Sequence, residues 1–151
     1  MPQPEPTILI VEDGDEYLET LSRFVPGPRY LQAHGGREAI EILEREAVDV
    51  IYLDMRFDRI PRQDLLGDHP TLTEEHNGDP ERAWRFLADN QGLFVLEAIH
   101  AKGLADRPVV LAYDFSREPT RARFLQAQYP TMVWVPDAVT AEEIRALISR
   151  R

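Results

Sequence analysis

Short apolar runs alternate with amphipathic stretches along most of the chain, and this alternation constrains the fold more than any other feature. Runs rich in Val, Ile and Leu occupy residues 7–11, 48–53, 109–113 and 132–135, and a weaker run occupies residues 29–33. Continuously apolar runs of this length are typical of strands buried on both faces. Apolar residues recur at helical spacing after each run. Five strand–helix units predict an α/β fold, with a doubly wound, five-stranded parallel sheet and right-handed crossovers.

Length and composition bound the class of protein. The chain has 151 residues, which suits one domain, and carries a net charge of −10 with no cysteine. This charge disfavours DNA binding through bulk electrostatic attraction, and the absence of cysteine excludes disulfides and thiolate metal sites. No apolar run approaches the ~20 residues of a membrane span, and the first residues are too polar for a signal peptide. We therefore expect a cytoplasmic protein with no membrane contact.

Acidic side chains follow two of the predicted strands. Glu12 and Asp13 come directly after the first strand, and Asp54 ends the third. Ligands of open parallel sheets bind outside the carboxyl ends of the strands, where these three carboxylates are expected to converge. Carboxylates held close together repel one another unless a cation lies between them, and hard oxygen ligands suit Mg²⁺. The sequence therefore predicts an acidic, magnesium-binding pocket.

The segment after the third strand is unusual. Residues 55–78 show no periodicity, and a connection of this length is usually functional or disordered. Asp79, Pro80 and Glu81 then form a helix-start pattern. Apolar spacing from Trp84 to Ile99 predicts one long helix, with Gly92 as an interruption.

Four segments together resemble the response-regulator receiver domain, the CheY-like phosphoacceptor module of two-component signalling. ILIVED at Ile8–Asp13 is similar to the family's first strand and acidic pair, and VDVIYLDM at Val48–Met55 to its third strand and phosphoaccepting aspartate. GLFVLEAIHAKG at Gly92–Gly103 is similar to its third helix, and RPVVLAY at Arg107–Tyr113 to its fourth strand. The resemblance covers nearly all of residues 1–151 in the right order, as one receiver-like domain with an insertion at about 56–88.

The resemblance implies a strand order, a phosphoacceptor and partners. The order would be 2-1-3-4-5, and Asp54 would accept a phosphoryl group from a phosphohistidine. Mg²⁺ would be held by Glu12, Asp13, Asp54 and the backbone carbonyl of Arg56. A sensor histidine kinase or another signalling protein would bind the face formed by the fourth strand, the next helix and the fifth strand. That region carries Arg117, Arg121 and Arg123, and a second copy of the chain remains an open alternative there.

Three positions depart from the family pattern. The family has Thr or Ser at the end of the fourth strand, where counting from Pro108 puts Tyr113. It has a lysine before the Pro that follows the fifth strand, where this chain has Val135. Its switch aromatic falls on Met132. The only lysine in the chain, Lys102, lies at the end of a predicted helix. We expect this part of the fold to be the wrong place for it to substitute for the missing lysine.

These departures predict a divergent receiver that keeps the metal-binding acids, is weakly phosphorylated or not at all, and acts as a protein-interaction module rather than an enzyme. One alternative is an ordinary phosphoswitch that uses Arg56 or Tyr113 as a substitute, with Arg56 and Arg59 as the candidate cations. Another is a Mg²⁺-dependent phosphohydrolase with Asp54 as the nucleophile. The second is disfavoured because haloacid-dehalogenase-like enzymes need an Asp two residues after the nucleophile, where this chain has Arg56.

Overall fold

The computed structural model describes residues 5–136, 142–144 and 146. Its sheet contains five parallel strands in the order β2-β1-β3-β4-β5, which confirms the predicted fold class and strand order. The strands are β1 (Thr7–Val11), β2 (Arg29–Ala33), β3 (Val50–Asp54), β4 (Val109–Ala112) and β5 (Met132–Val135). The β1, β2 and β5 boundaries agree with the predicted ones. The β3 strand starts later and extends to Asp54, which places this carboxylate on the last residue of the strand.

Six helices are defined within the described part of the chain. They are α1 (Glu16–Phe24), α2 (Gly36–Arg45), α3 (His69–Glu75), α4 (Pro80–Asp89), α5 (Gln91–Ala101) and α6 (Pro119–Gln128). Residues 142–144 and 146 are also helical, whereas Thr140 of the predicted T-x-x-E capping box lies outside the described residues. None of the described helices is long and apolar enough to cross a membrane.

Two apolar clusters lie on opposite faces of the sheet. Strand residues alternate between them, as the pleat requires: Leu9 and Val11 belong to one cluster, Ile8 and Ile10 to the other. The first cluster includes residues of α2, α5 and α6, and the second includes Leu21 of α1 and Ile144. The molecule therefore has three layers.

The segment between β3 and α5 is more ordered than its sequence predicts. The sequence predicts no element over residues 55–78, and a short 3₁₀ turn (Arg62–Asp64) and α3 lie within them. Asp68 caps α3 by accepting hydrogen bonds from Thr71, and α3 packs on α4. A seven-residue helix gives too short a pattern for periodicity to reveal.

The predicted long helix is two helices, and the break is at Asn90 rather than Gly92. The Asn90 side chain donates to the carbonyl of Phe86 at 3.0 Å, which ends α4. Gly92 lies inside α5, where a Cβ would overlap the backbone carbonyl oxygen of Asp54. The glycine is needed for this close approach of α5 to β3, not to interrupt a helix.

Candidate functional site

The pocket forms where β1 and β3 end side by side. These two strands pair in parallel, with Val11 opposite Leu53. Glu12 and Asp13 follow Val11, and Asp54 follows Leu53, so the pairing brings the three predicted acidic residues to one edge of the sheet. Asp54 is half-buried, and its Oδ1 accepts a hydrogen bond of 2.9 Å from the backbone N–H of Met55.

Electrostatics at this edge favour the neutral form of Asp54. The pKa of Asp54 is raised from 3.8 to about 7, mainly by burial and in smaller part by the charges of Glu12, Asp13 and Asp58. The hydrogen bond from Met55 opposes the shift without cancelling it. Burial and neighbouring negative charge are thus the two causes that raise this pKa.

Glu12 is also buried, at 5% exposure, and burial raises its pKa. Its Oε1 accepts a hydrogen bond of 3.0 Å from the backbone N–H of Tyr17 in α1. The Gln32 side chain on β2 donates to the backbone carbonyls of Glu12 and Gly14, at 3.1 and 3.2 Å. These contacts hold the β1–α1 loop against the sheet edge.

Asp13 contacts the segment that follows β3. We term residues 57–66 the strap. Asp13 Oδ2 accepts two hydrogen bonds of 2.8 Å, from the backbone N–H groups of Asp58 and Arg59. The Arg59 guanidinium then pairs with Glu16 at 2.5 Å, lying directly over Gly14, whose Cβ would overlap it. The strap is thus fastened to the β1–α1 loop at two points.

The residue types at this edge fit a hard divalent cation, since three carboxylates share a site with uncompensated charge. Their arrangement is incomplete. Within residues 5–136, 142–144 and 146, no three acidic or histidine side chains converge closely enough to hold a metal ion. Each carboxylate has one oxygen engaged by backbone amides, and only Asp13 Oδ2 accepts from two of them, both in the strap.

Val135 and Met132, two of the positions predicted to depart from the receiver pattern, are apolar and buried. Val135 is 7% exposed, pairs with Ala112 across β4 and β5, and belongs to the second apolar cluster. Met132 is 2% exposed and belongs to the first. Neither side chain can donate a hydrogen bond to a group bound at Asp54.

Tyr113, the third of these positions, has its hydroxyl engaged by a neighbouring side chain. The hydroxyl donates to Glu118 Oε2 at 2.5 Å, and this bond raises the pKa of Tyr113. Arg121 of α6 donates to Glu118 Oε1 at 3.0 Å and to Asn90 Oδ1 at 2.7 Å. The Tyr113 side chain is therefore part of a network that joins β4, α6 and the α4–α5 junction.

The two arginines expected as substitute cations pair with carboxylates outside the pocket. Arg56 lies 3.5 Å from Asp89 and is 66% exposed, whereas Arg59 pairs with Glu16. Arg59 is close enough to lower the pKa of Glu12 slightly, but this is the smallest contribution to that pKa. In this arrangement neither guanidinium is bound to Asp54.

Two residues of the site were not anticipated from the sequence. Asp58 raises the pKa of Asp54 and supplies a backbone amide to Asp13. Gln91, 0% exposed, donates to the carbonyls of Leu66 and Leu87 and accepts from the Leu66 amide. A helical glutamine gives no sequence signal for such a contact, since it depends on where residues 65–66 return to α5.

The fold is similar to that of solved response-regulator receiver domains. Solved structures similar to this chain include the receiver domain of Francisella response regulator 1452 (15% identity, TM-score 0.61), covering 97% of this chain and 98% of that one. The Vibrio cholerae chemotaxis protein CheY4 is similar at 15% identity and TM-score 0.60, with the same coverage of 97% and 98%. A CheY-like receiver domain protein from Methanospirillum hungatei JF-1 matches at 16% identity and TM-score 0.56, covering 97% and 93%.

The resemblance drawn from the sequence is therefore confirmed at the level of the fold across nearly the whole chain. No protein-family model matches the sequence, and no curated protein matches it either. Identities of 15–16% are consistent with a strongly divergent chain.

Proposed function

We propose that this protein is a divergent receiver domain of two-component signalling, weakly phosphorylated or not at all, that acts as a cytoplasmic protein-interaction module. The observation that carries this proposal is the uncompensated charge at Asp54. Burial and three neighbouring carboxylates raise the pKa of Asp54 to about 7, and Val135 replaces the lysine that would lower it.

A phosphorylated Asp54 would carry more negative charge than the free carboxylate. A charge-assisted hydrogen bond from a lysine would stabilise that state by roughly 1.5–3 kcal/mol, or about a tenfold or greater gain in phosphorylated population. Val135 and Met132 supply no such bond, and the Tyr113 hydroxyl is engaged by Glu118. The phosphorylated state is therefore expected to be sparsely populated.

Magnesium remains part of the proposal, with Glu12, Asp13, Asp54 and the backbone carbonyl of Arg56 as the residues that would hold it. When bound, Mg²⁺ would neutralise part of the carboxylate charge and attract phosphate oxygens. Support for this role comes from the donor chemistry of the edge and the raised pKa of Asp54.

The proposed interaction face consists of β4, α6 and β5, and its partner would be a sensor histidine kinase or another signalling protein. On α6, Phe124 is 68% exposed, and Arg123 beside it is also exposed. An exposed aromatic residue flanked by arginine is the composition that protein interfaces favour. Self-association through the same face would give a homodimer and is an outcome that light scattering would detect.

Treatment with acetyl phosphate and Mg²⁺, followed by intact-mass measurement, tests the phosphorylation part of the proposal. We expect only a small fraction of the wild-type chain to gain one phosphoryl group. Stoichiometric, stable modification at Asp54 would instead establish a conventional phosphorylation-switched receiver, and the proposal would be wrong.

A gain-of-function variant sharpens this test. Val135→Lys places an ammonium where the family has one, and we expect the phosphorylated fraction to rise severalfold. Val135→Met is the matched control, since it lengthens the side chain without adding charge. Equal labelling of the two variants would show that the missing lysine does not limit phosphorylation.

A further inference from the structure

The strap crosses the ends of the loops that follow β1 and β2. Its first residues bind the β1–α1 loop through Asp13 and Glu16. Further along, Ile60 packs near Gly35, at 3.6 Å from a Cβ placed there, and Leu66 covers Gly36, where a Cβ would overlap it. The strap thus lies along the edge of the sheet that holds the acidic pocket.

The contacts that hold the strap at Asp13 are polar, whereas the contacts at its two ends are apolar. Leu65 is buried in the core, and Phe57 is 1% exposed, so both ends of the strap are anchored by apolar contacts. Asp58 and Arg59, between them, are exposed, and the structure fastens them through polar contacts to Asp13 and Glu16. Polar contacts to Asp13 and Glu16 are therefore what hold Asp58 and Arg59 in place, between the apolar contacts of Phe57 and Ile60.

Asp13 is also one of the carboxylates proposed to hold a cation, and its Oδ2 is committed to the two strap amides. We propose that the strap and a divalent cation compete for the Asp13 carboxylate, so that cation binding releases the middle of the strap and a closed strap weakens cation binding. This inference rests on the cation role proposed above. Cation binding in the pocket would then change the conformation of the strap, rather than act through Tyr113, Met132 and Val135.

Breaking the Arg59–Glu16 pair from either side tests the competition. Arg59→Gln removes a positive charge near the pocket, and Glu16→Gln removes a negative one. Simple electrostatics predicts that Arg59→Gln tightens Mg²⁺ binding and Glu16→Gln weakens it. Competition predicts that both variants tighten it, by about two- to five-fold, because an exposed ion pair of this kind contributes that much to the closed strap.

Mg²⁺ affinity would be measured by calorimetric titration of the full chain with MgCl₂, and the strap by amide exchange at Asp58 and Arg59. Arg62→Gln is the matched control, since it breaks the exposed Arg62–Glu81 pair at the far end of the strap without touching Asp13. We expect faster amide exchange at Asp58 and Arg59 in Arg59→Gln, in Glu16→Gln and in Asp13→Ala. The same increase is expected in wild type with Mg²⁺. Asp13→Ala should show no further change with Mg²⁺.

Opposite effects of Arg59→Gln and Glu16→Gln on Mg²⁺ affinity would overturn the competition, as would unchanged exchange in Mg²⁺-bound wild type. Mg²⁺ binding seen only in Arg59→Gln and Glu16→Gln would give the competition its strongest support. Absence of Mg²⁺ binding in all variants would overturn both the competition and the cation role. The interaction-module proposal is judged separately, by phosphorylation of Asp54.

Discussion

Asp54 ends β3 in a position where its ionised form is costly. The pKa of this carboxyl is raised from 3.8 to about 7, mainly by burial. Between these values the folded protein holds a proton that the unfolded chain has lost. The contribution of Asp54 to stability is therefore fully present below about pH 4 and is lost as the pH rises through 7.

Asp54→Asn removes this penalty, and we expect the variant to be more stable than wild type at pH 8 by about 1–3 kcal/mol, after discounting for partial exposure. The gain should shrink as the pH falls and approach zero only near pH 3.5, below the ordinary pKa of an aspartate. Urea unfolding at the two pH values measures it. Asp114→Asn is the control: Asp114 is an exposed acid at the end of β4, and the hydrogen bond from Ser116 lowers its pKa. That variant should show no gain at pH 8, and an equal gain in both would contradict the assignment.

At the level of secondary structure, residues 56–90 contain both an element that the sequence predicts and elements that it does not. The helix start at Asp79 was predictable, because Asp, Pro and Glu in this order satisfy the first backbone amides of a helix, and Asp79 accepts from Glu81 and Arg82. The strands were predictable because burial on both faces demands continuous apolar residues. The paths of the strap and α3 were not, because they depend on tertiary contacts from Asp13 and Gln91.

The acidic edge likewise combines features that the sequence predicts with features that it does not. The placement of Glu12, Asp13 and Asp54 at one edge of the sheet follows from strand order and from the ends of β1 and β3, which the sequence predicts. The engagement of Asp13 by two strap amides, and the turning of Arg59 toward Glu16, cannot be read from spacing along the chain. Whether Tyr113 faces the pocket likewise depends on Glu118 and Arg121, which lie on the next helix and its approach.

The attachment of the insertion to α5 depends on Gln91. This side chain makes three hydrogen bonds to backbone groups of Leu66 and Leu87. Gln91→Ala would leave buried peptide groups without partners, and we expect a loss of about 2–4 kcal/mol in the free energy of unfolding, together with faster amide exchange at Leu66. Gln63→Ala, the same change at an exposed position of the 3₁₀ turn, should cost less than about 0.5 kcal/mol. A similar small cost for both would show that Gln91 does not anchor the insertion.

At the scale of the whole molecule, the insertion shares its apolar core with the sheet. Phe57, Leu65 and Leu87 belong to the same cluster as Leu53 of β3 and Leu96 of α5. A segment that packs into the main core is expected to unfold together with it rather than as a separate unit.

The two tryptophans allow this cooperativity to be measured. Trp84 lies on α4 and stacks on His69, with ring centroids 3.8 Å apart, and Trp134 lies on β5 beside Phe115, at 5.7 Å. Trp134→Phe leaves a reporter in the insertion, and Trp84→Phe leaves one in the sheet. We expect each variant's fluorescence midpoint in urea to coincide with the midpoint of its own circular dichroism. An earlier fluorescence transition from Trp84 alone would show that the insertion unfolds first.

The two ends of the insertion meet. The amide of Phe57 donates to the carbonyl of Ala88 at 2.9 Å, and the amide of Gly92 to the carbonyl of Met55 at 2.8 Å. Chain entry and exit are thus adjacent, so a single genetic event could have added or removed this segment without displacing any strand. Its far tip, where Asn77 and Gly78 adopt positive φ between α3 and α4, is the place where related chains could differ in length at little cost to the sheet.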